Sequence, residues 1–368
     1  MYSAKAYHTA EQCRFCWMCR HICPVGLKTG KEINTPRAKG LLVSMEKRGF
    51  PMEESQAEAM YECTLCGSCS ADCATGYEPP VYIREGRTHA VVNNLAPQYI
   101  LDMIDKIEES GNMFGEKGGI KDETLKSQIE SLPDRAPTLL VLGHTATLKQ
   151  PAFACALISL MKKAGVSFTV LKEEPASGSE LADLIGYVEE VKEQAKLYAE
   201  ALRESGADTI VIADPYVAET ILHKYPEWGL DIGGSAVTAT AYIAELVASG
   251  AFQIKPNPKR VTLHDSSRLA RDLDELAPAR SILQAAGADL REMFLHGKLS
   301  KCCGSELFRQ YAPHLARLTA EGRWDDALRS GADLLLAEDA QALDVLASAV
   351  PETMELQDIF SFLLESVQ

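Results

Sequence analysis

The sequence predicts an α+β protein of several domains, in which a helical N-terminal module is followed by a duplicated α/β unit. Eight cysteines lie in two runs of identical spacing within the first 73 residues, strand and helix patterns alternate from residue 138, and two short strings recur about 125 residues apart. These observations predict a helical domain at residues 1–93, a linker at 94–136, and α/β repeats at 137–258 and 259–368.

Both cysteine runs have the spacing C-x2-C-x2-C-x3-C. Their members are Cys13, Cys16, Cys19 and Cys23, then Cys63, Cys66, Cys69 and Cys73. Bacterial ferredoxins hold [4Fe-4S] clusters by thiolates at this spacing, and the fourth cysteine of each run binds the other cluster. The sequence therefore predicts two [4Fe-4S] clusters in an α-helical ferredoxin-like module. The expected ligands are Cys13, Cys16, Cys19 and Cys73 for cluster 1, and Cys63, Cys66, Cys69 and Cys23 for cluster 2.

Structural zinc is the alternative for these cysteines, since two CxxC pairs can also hold a zinc ion. Zinc sites usually draw on two separated pairs, whereas each run here is a triplet with a trailing cysteine, so the pattern favours iron and sulfide. Cysteines in metal-type runs indicate a reducing compartment. The N-terminus lacks the apolar core of a secretory signal, and no apolar stretch is long enough to span a bilayer. We expect a cytoplasmic protein without a membrane span.

Helical patterns surround the cysteine runs. Thr35 can cap a helix that starts at Pro36 and stops at Gly49, and a shorter helical stretch covers residues 53–61. A third helical segment follows the second run from about Val81 to Asn93. The N-terminal module is therefore expected to be helical, unlike the compact β-rich ferredoxins.

From residue 138 the pattern becomes that of a parallel α/β sheet. Strands are predicted at residues 138–143, 166–171 and 209–213, with helices at 151–163 and 187–204. The string SGSEL at Ser177 recurs as CGSEL at Cys303, and ALRESGAD at Ala201 recurs as ALRSGAD at Ala327. Two matches in the same order at nearly one offset indicate two copies of one α/β unit.

With two such cysteine runs and duplicated α/β units, the chain resembles the Cys-Cys-Gly iron–sulfur oxidoreductases over nearly its whole length. This family includes the iron–sulfur subunit of glycolate oxidase, the C subunit of anaerobic glycerol-3-phosphate dehydrogenase and the D subunit of heterodisulfide reductase. The segment TPRAKGLL after the first run is similar to the family's SPRGR-type helix, and Lys301 opens the name-giving KCCGS motif. The resemblance implies a Cys-Cys-Gly-type fold for each repeat.

The repeats depart from the family at most of its cysteine positions, which comprise a lone Cys, a Cys-Cys pair and a C-x-x-C. Repeat one has none of these cysteines, and its residues there are His144, Ala176, Ser177, Asp214 and Val217. Repeat two keeps the pair but not the others, and its residues there are Ser267, Cys302, Cys303, Asp339 and Ala342. A thiolate-held cluster needs roughly four soft ligands. We therefore expect no cluster in the C-terminal domain unless a partner chain completes it.

Two further motifs have a functional and a structural interpretation. Cys302 and Cys303 are a candidate redox dithiol or partial ligand set, or else a relic of the ancestral motif that is kept because Gly304 makes the turn and cysteines bury well. The missing ligands favour the relic. His264 and Asp265 are similar to an acid–base pair of hydrolases, but a strand that ends at His264, with Asp265 or a following serine capping the next helix, is the simpler account.

The net charge of −15 argues against nucleic acid as a partner. Residues 1–50 nevertheless contain nine Lys/Arg and three Asp/Glu, which gives this segment a charge of +6. Such a basic region could steer an acidic protein partner, or it could offset the charge of thiolates and clusters. No G-x-G-x-x-G or Walker motif occurs, so no flavin or nucleotide site is predicted on this chain.

Two predicted clusters without a recognisable substrate site indicate a non-catalytic electron-transfer subunit of a cytoplasmic redox complex. The resemblance implies a flavoprotein partner in a hetero-oligomer, either a FAD-linked 2-hydroxyacid dehydrogenase or an electron-transferring flavoprotein, with electrons passing singly through both clusters. One alternative is a heterodisulfide-reductase-like subunit that reduces a disulfide or thiol compound at Cys302 and Cys303. Another is a structural zinc protein that acts as an assembly factor.

Overall fold

The computed structural model describes residues 2–117 and 119–368. Met1, in the predicted ferredoxin-like domain, and Gly118, in the predicted linker, lie outside the described residues. The first part of the chain is helical. Its helices are α1 Ala4–Glu11, α2 Met18–Ile22, α3 Pro24–Thr29, α4 Pro36–Lys47, α5 Glu54–Tyr61, α6 Ser68–Ala71, α7 Pro79–Val92, α8 Gln98–Ser110 and α9 Glu123–Glu130.

The three helices predicted around the cysteine runs are confirmed as α4, α5 and α7. The Thr35 hydroxyl accepts the backbone N–H of Ala38, so it caps α4, and Pro36 is the first helical residue. A reciprocal capping box between Glu53 and Gln56 starts α5. These caps fix where the chain enters each helix and therefore where the intervening loops begin.

The predicted linker contains helices α8 and α9. Apolar side chains of α8 recur at helical spacing, at Ile100, Met103, Ile104 and Ile107, and all four are buried. They pack into the apolar core of the helical module. Helix α8 therefore belongs to the packing of that module.

A first four-stranded parallel sheet follows, with strand order β2-β1-β3-β4. Its strands are β1 Thr138–Val141, β2 Phe168–Val170, β3 Thr209–Ile212 and β4 Ser235–Thr238. Its helices are α10 His144–Leu148, α11 Pro151–Lys163, α12 Ser179–Ile185, α13 Glu189–Glu204, α14 Pro215–Glu219, α15 Tyr225–Glu227 and α16 Ala239–Ala248. The predicted strands and helices of this region are confirmed, with shorter strands than expected.

A second four-stranded parallel sheet has the order β6-β5-β7-β8. Its strands are β5 Arg260–His264, β6 Asp289–Leu290, β7 Leu334–Ala337 and β8 Glu355–Asp358. Its helices are α17 Ala277–Ala285, α18 Glu306–Tyr311, α19 Pro313–Leu328, α20 Ala340–Ala347 and α21 Ile359–Ser366. Short 3-10 turns lie at Glu32–Asn34 and Gly297–Leu299, and π-helical turns lie at Thr220–Lys224 and Arg268–Asp272.

The two sheets share one apolar core, and the helical module packs against both of them. Phe153 of α11 and Phe360 of α21 meet edge to face with ring centroids 5.2 Å apart. The helical module reaches the first sheet through α12, whose Leu181 and Leu184 lie in the core of the module. Its contact with the second sheet is through α3, where Val25 packs against residues of α18 and α19. None of the helices in the described residues combines the length and the apolar character needed to cross a bilayer.

Candidate metal centre

The two cysteine loops share one backbone conformation. Phe15 and Trp17 in the first loop and Leu65 and Gly67 in the second have positive φ values, of 53, 71, 51 and 72°. These are the second and fourth residues after the first cysteine of each run. A left-handed conformation costs an ordinary residue roughly 1–2 kcal/mol. Alternation of left- and right-handed residues makes concavities of backbone N–H groups, which are typical of iron–sulfur sites.

The first group of thiols joins three cysteines of run one to the last cysteine of run two. Burial, with a smaller contribution from the neighbouring thiols of Cys13, Cys16 and Cys73, raises the pKa of Cys19 to about 11. Cys73 therefore lies beside the first run, 50 residues or more away along the chain. Cys16 is the exposed member of this group.

The second group of thiols joins three cysteines of run two to the last cysteine of run one. Burial raises the pKa of Cys23 to about 12, and the thiols of Cys63 and Cys66 are among its neighbours. One small cavity is lined by Cys23, Cys63, Cys66 and Cys69 together. These four cysteines surround a space rather than pairing with one another.

Thiols at these positions suit a cationic iron–sulfur centre. Burial is the main cause that raises the pKa of Cys23 and Cys63, so without a bound cluster these two thiols stay neutral. A bound metal deprotonates its thiol ligands, and backbone N–H groups then stabilise the sulfur charge. The N–H of Gly26 donates to Cys23 Sγ at 3.4 Å, and that of Leu65 donates to Cys63 Sγ at 3.4 Å. Within the described residues, no three His, Cys, Asp or Glu side chains converge on a single point as one metal ion would require.

Two buried cations lie beside the second group. Lys39 is fully buried, its Nζ donates to the carbonyl of Ile33 at 3.0 Å, and the thiols of Cys23 and Cys63 are among its titratable neighbours. Arg87 is also buried. The two positive charges offset the negative charge that bound thiolates bring into the interior.

Arg87 also ties the second cysteine run to its surroundings through backbone carbonyls. Its Nε donates to Met60 at 3.0 Å, one terminal nitrogen donates to Cys63 at 2.6 Å, and the other donates to Asp183 of α12. The Asp183 carboxylate in turn pairs with Arg268 at 2.8 Å. One buried network therefore connects the cysteine run, the first sheet's helix α12 and the second sheet unit.

Cys302 lies directly beside the second cysteine group. The interaction between its thiol and the Cys66 thiol lowers the pKa of Cys66 well below the ordinary value and raises the pKa of Cys302. The backbone N–H of Gly304 donates to Cys302 Sγ at 3.2 Å. Nothing in the spacing of the sequence indicates this contact, because it joins residues 236 positions apart along the chain.

The positions that were expected to carry cysteine by resemblance differ in their contacts between the two predicted repeats. Ser267 Oγ lies 3.7 Å from Cys302 Sγ, and the Asp339 carboxylate is a charged neighbour of the Cys303 thiol. In the first repeat, Asp214 caps α14, and His144 Nε2 lies 3.0 Å from a backbone carbonyl. The residues at these positions of predicted repeat two therefore lie around the cysteine pair. Those of predicted repeat one make a helix cap and a hydrogen bond within their own sheet unit.

The expectation that Asp265 or a following serine caps a helix is wrong. Asp265 accepts the backbone N–H of Gly297 at 2.7 Å and pairs with Arg280 at 2.8 Å, because this buried carboxylate needs a charged partner. Ser267 precedes the π-helical turn without a capping hydrogen bond. His264 accepts from Arg323 at 2.9 Å, and burial lowers its pKa well below the usual value. These residues hold the second sheet unit together.

Comparisons with known proteins agree with this geometry. The family model for a 4Fe-4S dicluster domain matches residues 9–77. The D subunit of the dihydromethanophenazine:CoB–CoM heterodisulfide reductase of Methanosarcina acetivorans is 26% identical over 355 residues, which are 88% of this chain and 85% of that relative. Its counterpart in Methanosarcina barkeri matches equally well. The dicluster domain and this similarity over most of the chain support the iron–sulfur oxidoreductase family that includes the D subunit of heterodisulfide reductase.

Other similar proteins are longer than this chain. A probable membrane-anchored ferredoxin of Chromohalobacter salexigens is 28% identical over 67% of this chain, which spans 38% of that protein. The EtfAB:quinone oxidoreductase of Syntrophomonas wolfei is 25% identical over 69% of the chain, again 38% of the relative. A crystal structure of a hypothetical protein from Helicobacter pylori has a similar fold, with a TM-score of 0.51 at 10% identity over 89% of this chain and 67% of that one. The dicluster domain and the named relatives support iron–sulfur electron transfer in an oxidoreductase.

Proposed function

We propose that this chain is the electron-transfer subunit of a redox complex and that it relays single electrons through two [4Fe-4S] clusters. The observation that carries the proposal is the reciprocal grouping of the thiols, with Cys73 beside the first run and Cys23 beside the second. Thiolate-bound [4Fe-4S] clusters accept and release one electron at a time. The crossed grouping brings two such sites together in one helical module.

The residues around the two sites support different roles. Cys16 is exposed, so the first site is open to a partner protein at the surface. Cys66 and Cys69 are buried between the module and the second sheet, and Lys39 and Arg87 supply positive charge there. The chain thus excludes water from the second site and orients its sulfur ligands with backbone N–H groups.

A flavoprotein is the partner we propose, in a hetero-oligomer. The name of the Syntrophomonas relative joins an electron-transferring flavoprotein to a quinone oxidoreductase, and the absence of a nucleotide-binding motif in this sequence leaves the flavin to another chain. The two sheets are then a docking platform made of two copies of one unit, with the domain bounds predicted above. Their identical strand order supports that duplication.

A second candidate function is the reduction of a disulfide or thiol compound at Cys302, and one observation supports it. A surface cavity of about 240 Å³ is lined by Cys302 and by charged residues, which are Lys28, Lys301, Arg323, Arg329, Asp325 and Asp326. The thiol therefore lies between the second cysteine group and an opening with more cations than carboxylates. Reduction of one disulfide there takes two electrons and two protons and yields two thiols.

Metal analysis of the anaerobically purified full-length chain tests the main proposal. We expect about eight iron atoms and eight acid-labile sulfides per chain, which is two four-iron clusters. Stoichiometric zinc without sulfide would overturn it and support the assembly-factor alternative. For the second candidate, Cys302→Ser and Cys303→Ser are compared in the assembled complex. Unchanged turnover excludes disulfide chemistry at this pair.

A further inference from the structure

Exposed apolar side chains are concentrated near the first cysteine group. Among the described residues, eight of the fifteen exposed large hydrophobic side chains lie between residues 15 and 50, and three of them flank Cys16. These three are Phe15, Trp17 and Met18, with 50, 41 and 48% of their surface exposed. Exposed apolar side chains that lie together on a soluble surface are typical of interaction sites.

The cysteine loop itself holds these side chains at the surface. Phe15 and Trp17 are the left-handed residues of the loop, on either side of Cys16, and they remain exposed. At the equivalent positions of the second loop stand Leu65, which is buried in the module, and Gly67. The same backbone therefore carries exposed aromatic rings in the first loop only.

Two arginines lie against these rings. The guanidinium of Arg37 is 3.7 Å from the Trp17 ring centroid and 5.8 Å from that of Phe15, and the Arg20 guanidinium is 5.2 Å from Trp17. Glu32 is the shared carboxylate partner of both arginines. Two cations with one carboxylate leave this surface with a net positive charge.

This positive charge is separate from the charge beside the second thiol group. Lys39 and Arg87 lie buried there, whereas Arg20, with 43% of its side chain exposed, and Arg37, with 14% exposed, stack on rings of the first cysteine loop. Residues 1–50 carry a charge of +6 in a chain whose net charge is −15. An acidic protein is therefore attracted to this surface and repelled by the remainder of the chain.

We propose that Phe15, Trp17, Met18, Arg20 and Arg37 form a docking face for a carboxylate-rich surface of the redox partner protein. The proposal rests on the proposed function and names where that partner binds. Apolar and aromatic residues with arginine are the composition of protein interfaces. Docking here brings the partner's redox group close to Cys16, and the charge orients the partner during encounter.

The test uses flavodoxin hydroquinone, a small acidic flavoprotein, as electron donor to the full-length chain carrying its clusters. Stopped-flow absorbance gives the second-order rate constant of cluster reduction. The double variant Arg20→Glu/Arg37→Glu is compared with Arg291→Glu/Arg317→Glu, which changes the total charge equally at two exposed arginines of the second sheet unit that each pair with one carboxylate. We expect the docking-face variant to be at least about tenfold slower at low salt and the control to stay within about twofold.

The salt dependence provides a second readout. In the wild type, the rate falls as ionic strength rises, and in the docking-face variant this dependence is largely lost. Phe15→Asn removes apolar surface while keeping a residue that tolerates the left-handed conformation, and we expect a slower reaction with the salt dependence intact. If Arg20→Glu/Arg37→Glu fails to retain iron, Arg20→Gln/Arg37→Gln replaces it, with an expected slowing of at least about threefold.

The outcomes separate this inference from the proposed function. Iron content and reduction by dithionite are measured on every variant, since a small reductant needs no docking. Chains without iron–sulfur clusters would overturn the proposed function. Intact, dithionite-reducible clusters whose reduction by flavodoxin is equally fast in wild type and docking-face variant would overturn the docking face alone. An equal slowing in both charge-reversal variants would also overturn it, because total charge would then be the cause.

Discussion

Arg271 Nε donates to the backbone carbonyl of Cys66 at 2.5 Å, across 205 positions of sequence. The same guanidinium donates to the carbonyl of Ser300 at 2.9 Å, two residues before the cysteine pair. One side chain of the second sheet unit therefore holds both the second cysteine loop and the approach to Cys302. The geometry of the buried thiol group depends on this long-range contact as well as on the loop's own sequence.

Arg271→Met should loosen the second cysteine loop. The change leaves the carbonyls of Cys66 and Ser300 without their charged donor, and hydrogen bonds to charged groups contribute about 2 kcal/mol each. We expect faster loss of the buried cluster in air, measured as bleaching of the visible absorbance. Arg260→Met removes an exposed arginine that pairs with Asp333 and serves as the matched control. Equal bleaching rates in both variants would contradict a role for Arg271 in holding the loop.

Arg87→Met should destabilise the whole chain. Arg87 donates to the carbonyls of Met60, Cys63 and Asp183 in the interior, and removing it leaves these groups unsatisfied and the Arg–Asp network without one cation. We expect a loss of about 3 kcal/mol in the free energy of unfolding of the cluster-free chain in urea. Arg317→Met, at an exposed arginine, should change it by less than about 0.5 kcal/mol. A loss for Arg87→Met as small as that of the control would show that the network adds no stability.

Cys73→Ser and Cys23→Ser test the crossed ligation. If Cys73 is a ligand of the exposed cluster, Cys73→Ser should lose that cluster and keep the buried one, which air should bleach slowly. Cys23→Ser should then lose the buried cluster and keep the exposed one, which air should bleach quickly. If each run bound its own cluster, the order of the two bleaching rates would be reversed. About four iron atoms per chain are expected in either variant, so iron content serves as the check that one cluster remains.

Lys39→Met should lower the reduction potential of the buried cluster. The buried ammonium beside Cys23 and Cys63 stabilises the more negative, reduced form. A unit charge roughly 10 Å away at an effective dielectric constant of about 20 contributes about 1.5 kcal/mol, or about 60 mV for one electron. Redox titration followed by electron paramagnetic resonance measures the shift. Lys39→Arg keeps the charge and should stay near the wild-type potential; an equal shift in both variants would assign the effect to packing.

His144 should make the stability depend on pH. Burial alone would lower its pKa, but the Glu180 carboxylate 3.8 Å from Nδ1, together with the charge of Glu174, raises the pKa from 6.5 to about 9. A raised histidine pKa stabilises the fold fully below pH 6.5, and this contribution of about 3 kcal/mol is lost as the pH rises towards 9. His144→Gln should therefore lower the unfolding midpoint at pH 6 and leave it nearly unchanged at pH 10. Glu180→Gln should remove much of the same pH dependence. If His144→Gln lowered the unfolding midpoint equally at every pH, the assignment of the pH dependence to His144 would be wrong.

Local chemistry allowed much of the helical module to be predicted. Thr35 and Pro36 specify the start of α4 by capping and by a fixed φ, and the alternation of short apolar runs with helices specifies the parallel sheets. The proposed ligand groups also follow from the spacing of the cysteines, because this spacing is the one in which the fourth cysteine of each run binds the other cluster. The helix cap at Asp265 could not be predicted correctly, because its partner Arg280 is brought to it only by folding.

The sequence by itself determined the kind of chemistry, because thiolates at fixed intervals in two short loops suit an iron–sulfur site. Tertiary structure alone decided what surrounds each site. It left Cys16 exposed next to Trp17, on whose ring Arg37 stacks, and it enclosed Cys66 beside Cys302 with Arg271 holding the loop. Exposure and buried charge arise from contacts between residues far apart in the chain, which spacing does not encode.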